Sequence, residues 1–91
     1  MIGSDQPPLE DGEPVPNGLR TLFGRNLRAA RVALGLRQQE FADRAGFNRQ
    51  YISRVEAGRI NLTLDTMRRL AAAVGQDVPS LLRVPDPKVP G

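Results

Sequence analysis

Residues 38–58 read QQEFADRAGFNRQYISRVEAG, and the fold turns on how this stretch is divided. Phe41, Ala42 and Ala45 fall on one side of a helix with 3.6 residues per turn, so the segment 38–45 predicts a short helix with an inward apolar stripe. Gly46 ends it, taking a positive φ that a Cβ would oppose. Asn48 is then a natural N-cap for a second helix over 49–57, with Gly58 beyond its end. Ile52 and Val55 sit three apart and point that helix inward, joining Phe41, Ala45 and Phe47 in one shared core. Ala42 is small where the two helices must approach. The pattern is two short helices crossing steeply through a tight, glycine-containing turn.

The flanking sequence supplies the rest of a helical domain. Phe23, Leu27, Ala30 and Leu34 predict a first helix over 21–34, capped by Thr21 or Asn17. Leu34-Gly35-Leu36 reads as its stop, with Leu36 folding back. Downstream, Thr63 caps a helix over 64–74 whose stripe is Met67, Leu70, Ala71 and Val74, and Gly75 stops it. Asp65 in its first turn suits the helix dipole. A short helix is expected at 79–83, with Pro79 in its first turn. No alternating pattern bounded by hairpin turns appears. The expected fold class is therefore all-α, a compact four- to five-helix bundle over residues 19–83. Residues 1–18, rich in proline, glycine and acid, read as a disordered arm, and 84–91 as a Pro-rich tail.

Composition excludes several chemistries. The 91 residues contain no cysteine and no histidine, so thiolate chemistry, histidine acid–base catalysis and the usual zinc sites are absent. No metal, cofactor or enzymatic activity is expected. Apolar runs fall short of the ~18 residues of a membrane span, and the N-terminus is unlike a signal peptide; a cytoplasmic protein is expected. Charge is divided unevenly. Residues 1–18 carry four acids and no base, whereas residues 19–83 carry twelve arginines against five acids. A basic body attracts polyanions, nucleic acid or anionic lipid among them.

Two helices joined in this way form a helix-turn-helix. The longer run GLRQQEFADRAGFNRQYISRVEAGRINLTLDTMRRLAAAVG resembles the Cro/CI-type helix-turn-helix domain, the XRE family. The matching positions are Gln38, Phe41-Ala42, Gly46-Phe47, Ile52-Ser53, Glu56, Gly58 and the stretch Leu64 to Val74, within about residues 22–83. One departure is Arg37, where the family usually has a capping Ser or Thr; losing that cap costs roughly 1 kcal/mol unless something substitutes. The words RQYIS, E and RINLT also resemble restriction–modification controller proteins, and occur in generic regulators and antitoxins as well.

The resemblance implies a lambda-repressor-like fold and binding of double-stranded DNA, with the N-terminal part of helix 49–57 entering the major groove. With Ile52 and Val55 inward, Gln50, Ser53 and Arg54 point away from the core, and Arg49 stands at the helix start. Arginine can bond guanine O6 and N7, and glutamine adenine N6 and N7. Arg49, Gln50 and Arg54 are thus the candidate base readers, with Ser53 beside them and Tyr51 at the flank, facing a thymine methyl or a phosphate. The plainer reading of all five is a solvated helix face. Gln38, at a helix start that favours anions, is a candidate phosphate contact or a simple polar first-turn residue. Arg37, Asn48, Arg59, Asn61 and Thr63 are further phosphate candidates, Asn61 being equally a loop-shaping residue. Glu56 would be repelled by DNA; the family pattern implies an internal ion pair with Arg31.

Val78, Leu81 and Leu82, near Leu62, are either ordinary core or a homodimer surface; two half-sites about 34 Å apart suit a two-fold dimer. The function expected is a sequence-specific transcriptional regulator on a palindromic operator. The alternative is an antitoxin or adaptor module whose main partner is another protein, engaged through the tails.

Overall fold

The structure, a computed structural model, describes residues 17–84. Five helices occupy them: α1 (Asn17–Ala33), α2 (Gln38–Ala45), α3 (Arg49–Glu56), α4 (Leu64–Ala73) and α5 (Val78–Leu81), with no strand among the described residues. The all-helical bundle expected from periodicity is the one observed. Most of the acidic arm and of the Pro-rich tail, and with them any partner contact through the tails, lie outside the described residues.

Each boundary follows from local chemistry. Asn48 Oδ1 accepts the Tyr51 amide at 2.8 Å and Thr63 Oγ1 the Thr66 amide at 3.2 Å, satisfying donors that an uncapped helix start leaves free. Arg37 has no side-chain acceptor to offer α2, but Glu40 accepts the Arg37 amide at 2.8 Å, the reciprocal half of a capping box. Asp77, overlooked in the sequence, caps α5 by accepting the Ser80 amide at 2.9 Å. At the α2–α3 turn Gly46 has φ 84°, and the Gly46 and Phe47 amides both return to the Ala42 carbonyl at 2.9 Å.

Two expectations about α1 are corrected. The helix begins four residues earlier than 21, so Thr21 is an interior residue and caps nothing. Leu34 does not extend the buried stripe. The helix ends at Ala33, and the Leu36 amide returns to the Arg31 carbonyl at 3.1 Å while Gly35 bonds Val32 at 2.9 Å. This closure turns Leu34 outward, 52% exposed, and brings Leu36 against the core instead. The last inward position of α1 is then Arg31.

Phe23, Leu27, Phe41, Ile52, Val55, Leu62 and Leu70 are almost wholly buried and form the core. α3 packs on both α1 and α2, while α4 closes the far side of α2 and meets α5. Gly24 makes the α1–α3 contact possible: a Cβ there would stand 2.3 Å from the Val55 carbonyl oxygen and 2.9 Å from that of Glu56. Asn26 ties α5 to α1 by donating to the carbonyls of Leu81 and Arg83 at 2.7 and 2.9 Å. Leu81 and Leu62 are 4% and 1% exposed. Leu81 could be core or dimer surface by its sequence; within one chain α5 folds back on α1 and α4 and turns this side chain into the core.

Candidate nucleic-acid interface

α3 is an amphipathic helix whose polar side is left open by everything packed on its other side. Ile52, Val55 and Glu56 are buried, whereas Arg49, Gln50, Ser53 and Arg54 are exposed. Tyr51 is half-buried at the edge, its ring stacked on Phe47 with centroids 4.5 Å apart. Arg69 of α4 covers Phe47, its guanidinium carbon 4.4 Å from the ring centroid, and donates to the Ala45 carbonyl at 3.1 Å. This column of one cation and two rings pins the turn and the start of α3 to α4. Burial raises the Tyr51 phenol above its ordinary value, an effect opposed by a hydrogen bond with Thr66 and the charge of Arg69.

The other end of α3 is held by ions. Arg31 Nε and Nη2 grip the two Glu56 oxygens at 2.6 and 3.0 Å, and Arg31 Nη1 donates to the Leu36 carbonyl at 2.7 Å. Gln38 Nε2 adds a fourth bond, to Glu56 Oε1 at 3.1 Å. The buried carboxylate is thus paired and hydrogen-bonded, and its charge is cancelled beneath the exposed arginines. One of the two amide hydrogens of Gln38 is committed to Glu56, so this residue joins the start of α2 to the end of α3.

Beyond α3 the chain turns at Gly58, φ 72°, where an added Cβ would lie 2.9 Å from Thr21 Oγ1 and 3.0 Å from Thr21 Cα. The α1 N-terminal region therefore lies directly under the loop that follows α3. Arg59 is exposed in this loop, and exposed Asn61 accepts a hydrogen bond from Arg20 of α1. Arg37 is exposed at the start of α2. Asn48 and Thr63 are exposed too, but their side-chain oxygens are engaged as helix caps.

A helix-turn-helix family profile matches residues 27–81, more than half the chain and the whole of α2 to α5. The chain belongs to the Cro/CI-type (XRE) helix-turn-helix family of transcription regulators. Within the family, similarity runs to several proteins. The solved structure of a hypothetical transcription factor from Neisseria matches with a TM-score of 0.71 at 35% identity, covering 88% of this chain and 92% of that one. The restriction–modification controller protein C.AhdI from Aeromonas hydrophila matches with a TM-score of 0.66 at 34% identity, over 71% and 94% of the two chains. Control protein C.SmaI of Serratia marcescens is 36% identical over 64 residues, 70% of this chain and 76% of its own.

Sequence reasoning missed several members of this XRE site. The Arg69–Phe47 contact, the Gln38–Glu56 bond and the Arg20–Asn61 bond join residues 18 to 41 positions apart, and the first depends on which of two adjacent arginines meets the ring. Gly24 carried a usable signal: a glycine inside an otherwise strong helical pattern asks for a close approach. Leu19 and Leu64, 41% and 64% exposed, line an open apolar hollow of about 460 Å³ with Val78 and Leu82. Of the residues assigned to a dimer surface from sequence, Val78 and Leu82 line it and Leu81 does not.

Proposed function

We propose that this chain is a homodimeric, sequence-specific DNA-binding regulator that inserts α3 into the major groove of a roughly palindromic operator. Arg49, Gln50 and Arg54 read base edges, Ser53 lies beside them, and Tyr51 sits against the groove wall. Arg37, Gln38, Arg59 and Asn61 meet the backbone phosphates, with Asn48 and Thr63 serving chiefly to cap the starts of α3 and α4. One observation carries this reading: an exposed face of two arginines and a glutamine on a helix whose only carboxylate, Glu56, is cancelled from behind by Arg31. Long donor-rich side chains over a neutralised interior are suited to base edges flanked by phosphate charge.

The dimer surface we infer is the apolar hollow formed by Leu19, Leu64, Val78 and Leu82. One short reading helix offers few base contacts, and a two-fold pair doubles them over two half-sites about 34 Å apart. Likeness to restriction–modification controller proteins supports a role in transcription regulation.

Selection from random DNA followed by sequencing is the test. It should return a two-fold symmetric site, and Arg54→Ala or Gln50→Ala should relax preference at one position per half-site, losing about 1–3 kcal/mol there. Equal loss on selected and random DNA would remove these residues from base reading. Sedimentation should give twice the chain mass, and Leu64→Glu should shift the protein toward monomer; a wild-type monomer at the concentrations that saturate DNA would sink the dimer.

A further inference from the structure

The start of α1 lies beside the loop that follows α3. α1 begins at Asn17, about 6 Å of helix rise from Thr21. Thr21 lies under Gly58, and Arg20 bonds Asn61 in the loop that also carries Arg59. The chain therefore enters the fold beside the loop following α3, not behind the bundle. Residues 1–16 carry Asp5, Glu10, Asp11 and Glu13 and no basic side chain. Fully extended, the link from Glu13 to Asn17 spans at most about 14 Å, that from Glu10 about 25 Å, and that from Asp5 about 43 Å. Arg49 and Arg54 of α3 and Arg59 of the loop that follows it are all exposed. Four carboxylates are tethered at the edge of a face built for phosphates, and the carboxylate within that face is already neutralised by Arg31.

We propose that residues 1–16 dock electrostatically along the Arg54–Arg59 edge of their own domain and compete there with DNA phosphates. Tethering makes the competition intramolecular, at an effective concentration set by the length of the link, about millimolar for a short one. Because the same arginines must be uncovered for every DNA sequence, the arm lowers affinity by one common factor and leaves base preference unchanged. The arm thus sets the protein concentration at which sites fill. This inference rests on the α3 face being the DNA surface, and its test separates the two ideas.

The full chain is compared with a full-length variant carrying Asp5→Asn, Glu10→Gln, Asp11→Asn and Glu13→Gln. Without DNA, the nitrogen–proton NMR signals of the Arg54 and Arg59 side chains should differ between the two proteins at about 50 mM NaCl. They should converge at about 500 mM, where the Debye length falls to a few ångströms. On a random 30-base-pair duplex, the neutralised variant should bind about three- to tenfold tighter at about 50 mM salt, and within about twofold at about 300 mM. Identical arginine signals at low salt would overturn the docking. Equal or weaker DNA binding by the neutralised variant would overturn the competition. If neither protein binds DNA, the proposed function fails, while the arginine signals still decide whether the arm docks.

Discussion

Gly24→Ala sets two physical effects against each other within one helix. Alanine in a helix interior is favoured over glycine by about 1 kcal/mol, so propensity alone predicts a more stable protein. At this site the new Cβ would lie 2.3 Å from the Val55 carbonyl oxygen and 2.9 Å from the Glu56 oxygen. The nearer distance is over 1 Å short of ordinary contact, about 3.5 Å. Both obstacles are backbone, so no side chain can rotate away, and the end of α3 must move. That movement strains the Arg31–Glu56 grip at 2.6 and 3.0 Å. Overpacking of this kind costs about 3 kcal/mol at the upper end of its usual range, leaving a net loss of about 2 kcal/mol. For a domain of this size that lowers the melting temperature by about 8–16 °C, or the urea midpoint by about 1–2 M. Gly18→Ala is the internal control, because nothing lies within 4 Å of a Cβ there. It should be neutral or stabilising by up to about 0.5 kcal/mol. Urea titration followed by circular dichroism measures both. A Gly24→Ala protein as stable as wild type would refute the close α1–α3 approach.

Three further outcomes follow from the same geometry. Glu56→Ala leaves the Arg31 guanidinium buried without its partner and Gln38 without its acceptor, and should cost about 3–5 kcal/mol by denaturant titration; a loss below about 1 kcal/mol would mean the pair is solvated. The single tyrosine, Tyr51, should ionise above the ordinary phenol value of 10.0 in an absorbance titration of the folded protein. The unfolded chain loses this proton first, so the associated stability is full below pH 10 and is lost as pH rises through the folded value; ionisation at or below 10 would contradict the burial against Phe47. Arg59→Ala should weaken binding to all sequences alike and flatten the dependence of affinity on salt by about one ion, and an unchanged slope would reject a phosphate contact.

Much of this architecture depends on short-range chemistry. Helix periodicity, the Asn48 and Thr63 caps and the left-handed Gly46 act within a few residues, so the sequence by itself determined an all-α domain with two crossing helices and located α3 to within one residue. The outward direction of Arg49, Gln50 and Arg54 followed as well, because Ile52 and Val55 orient the helix through its fixed 100° turn per residue. The same reasoning erred where a direction depends on chain reversal. Leu34 continues the α1 stripe in number, but the helix ends before it and the closing turn carries it outward.

What only the tertiary structure decided lies in contacts between distant elements. Arg68 and Arg69 are neighbours that look alike in sequence. The first stands in solvent 3.7 Å from Asp65, whereas the second covers Phe47 and holds the Ala45 carbonyl. Gln38 reads as a surface residue until the end of α3 brings Glu56 to its amide, and Leu81 reads equally as core or surface until α5 folds onto α1. A helix repeats its own geometry and therefore shows which residues share a face. Which neighbour that face meets depends on turns and packing summed over the whole chain, and no local pattern carries that sum.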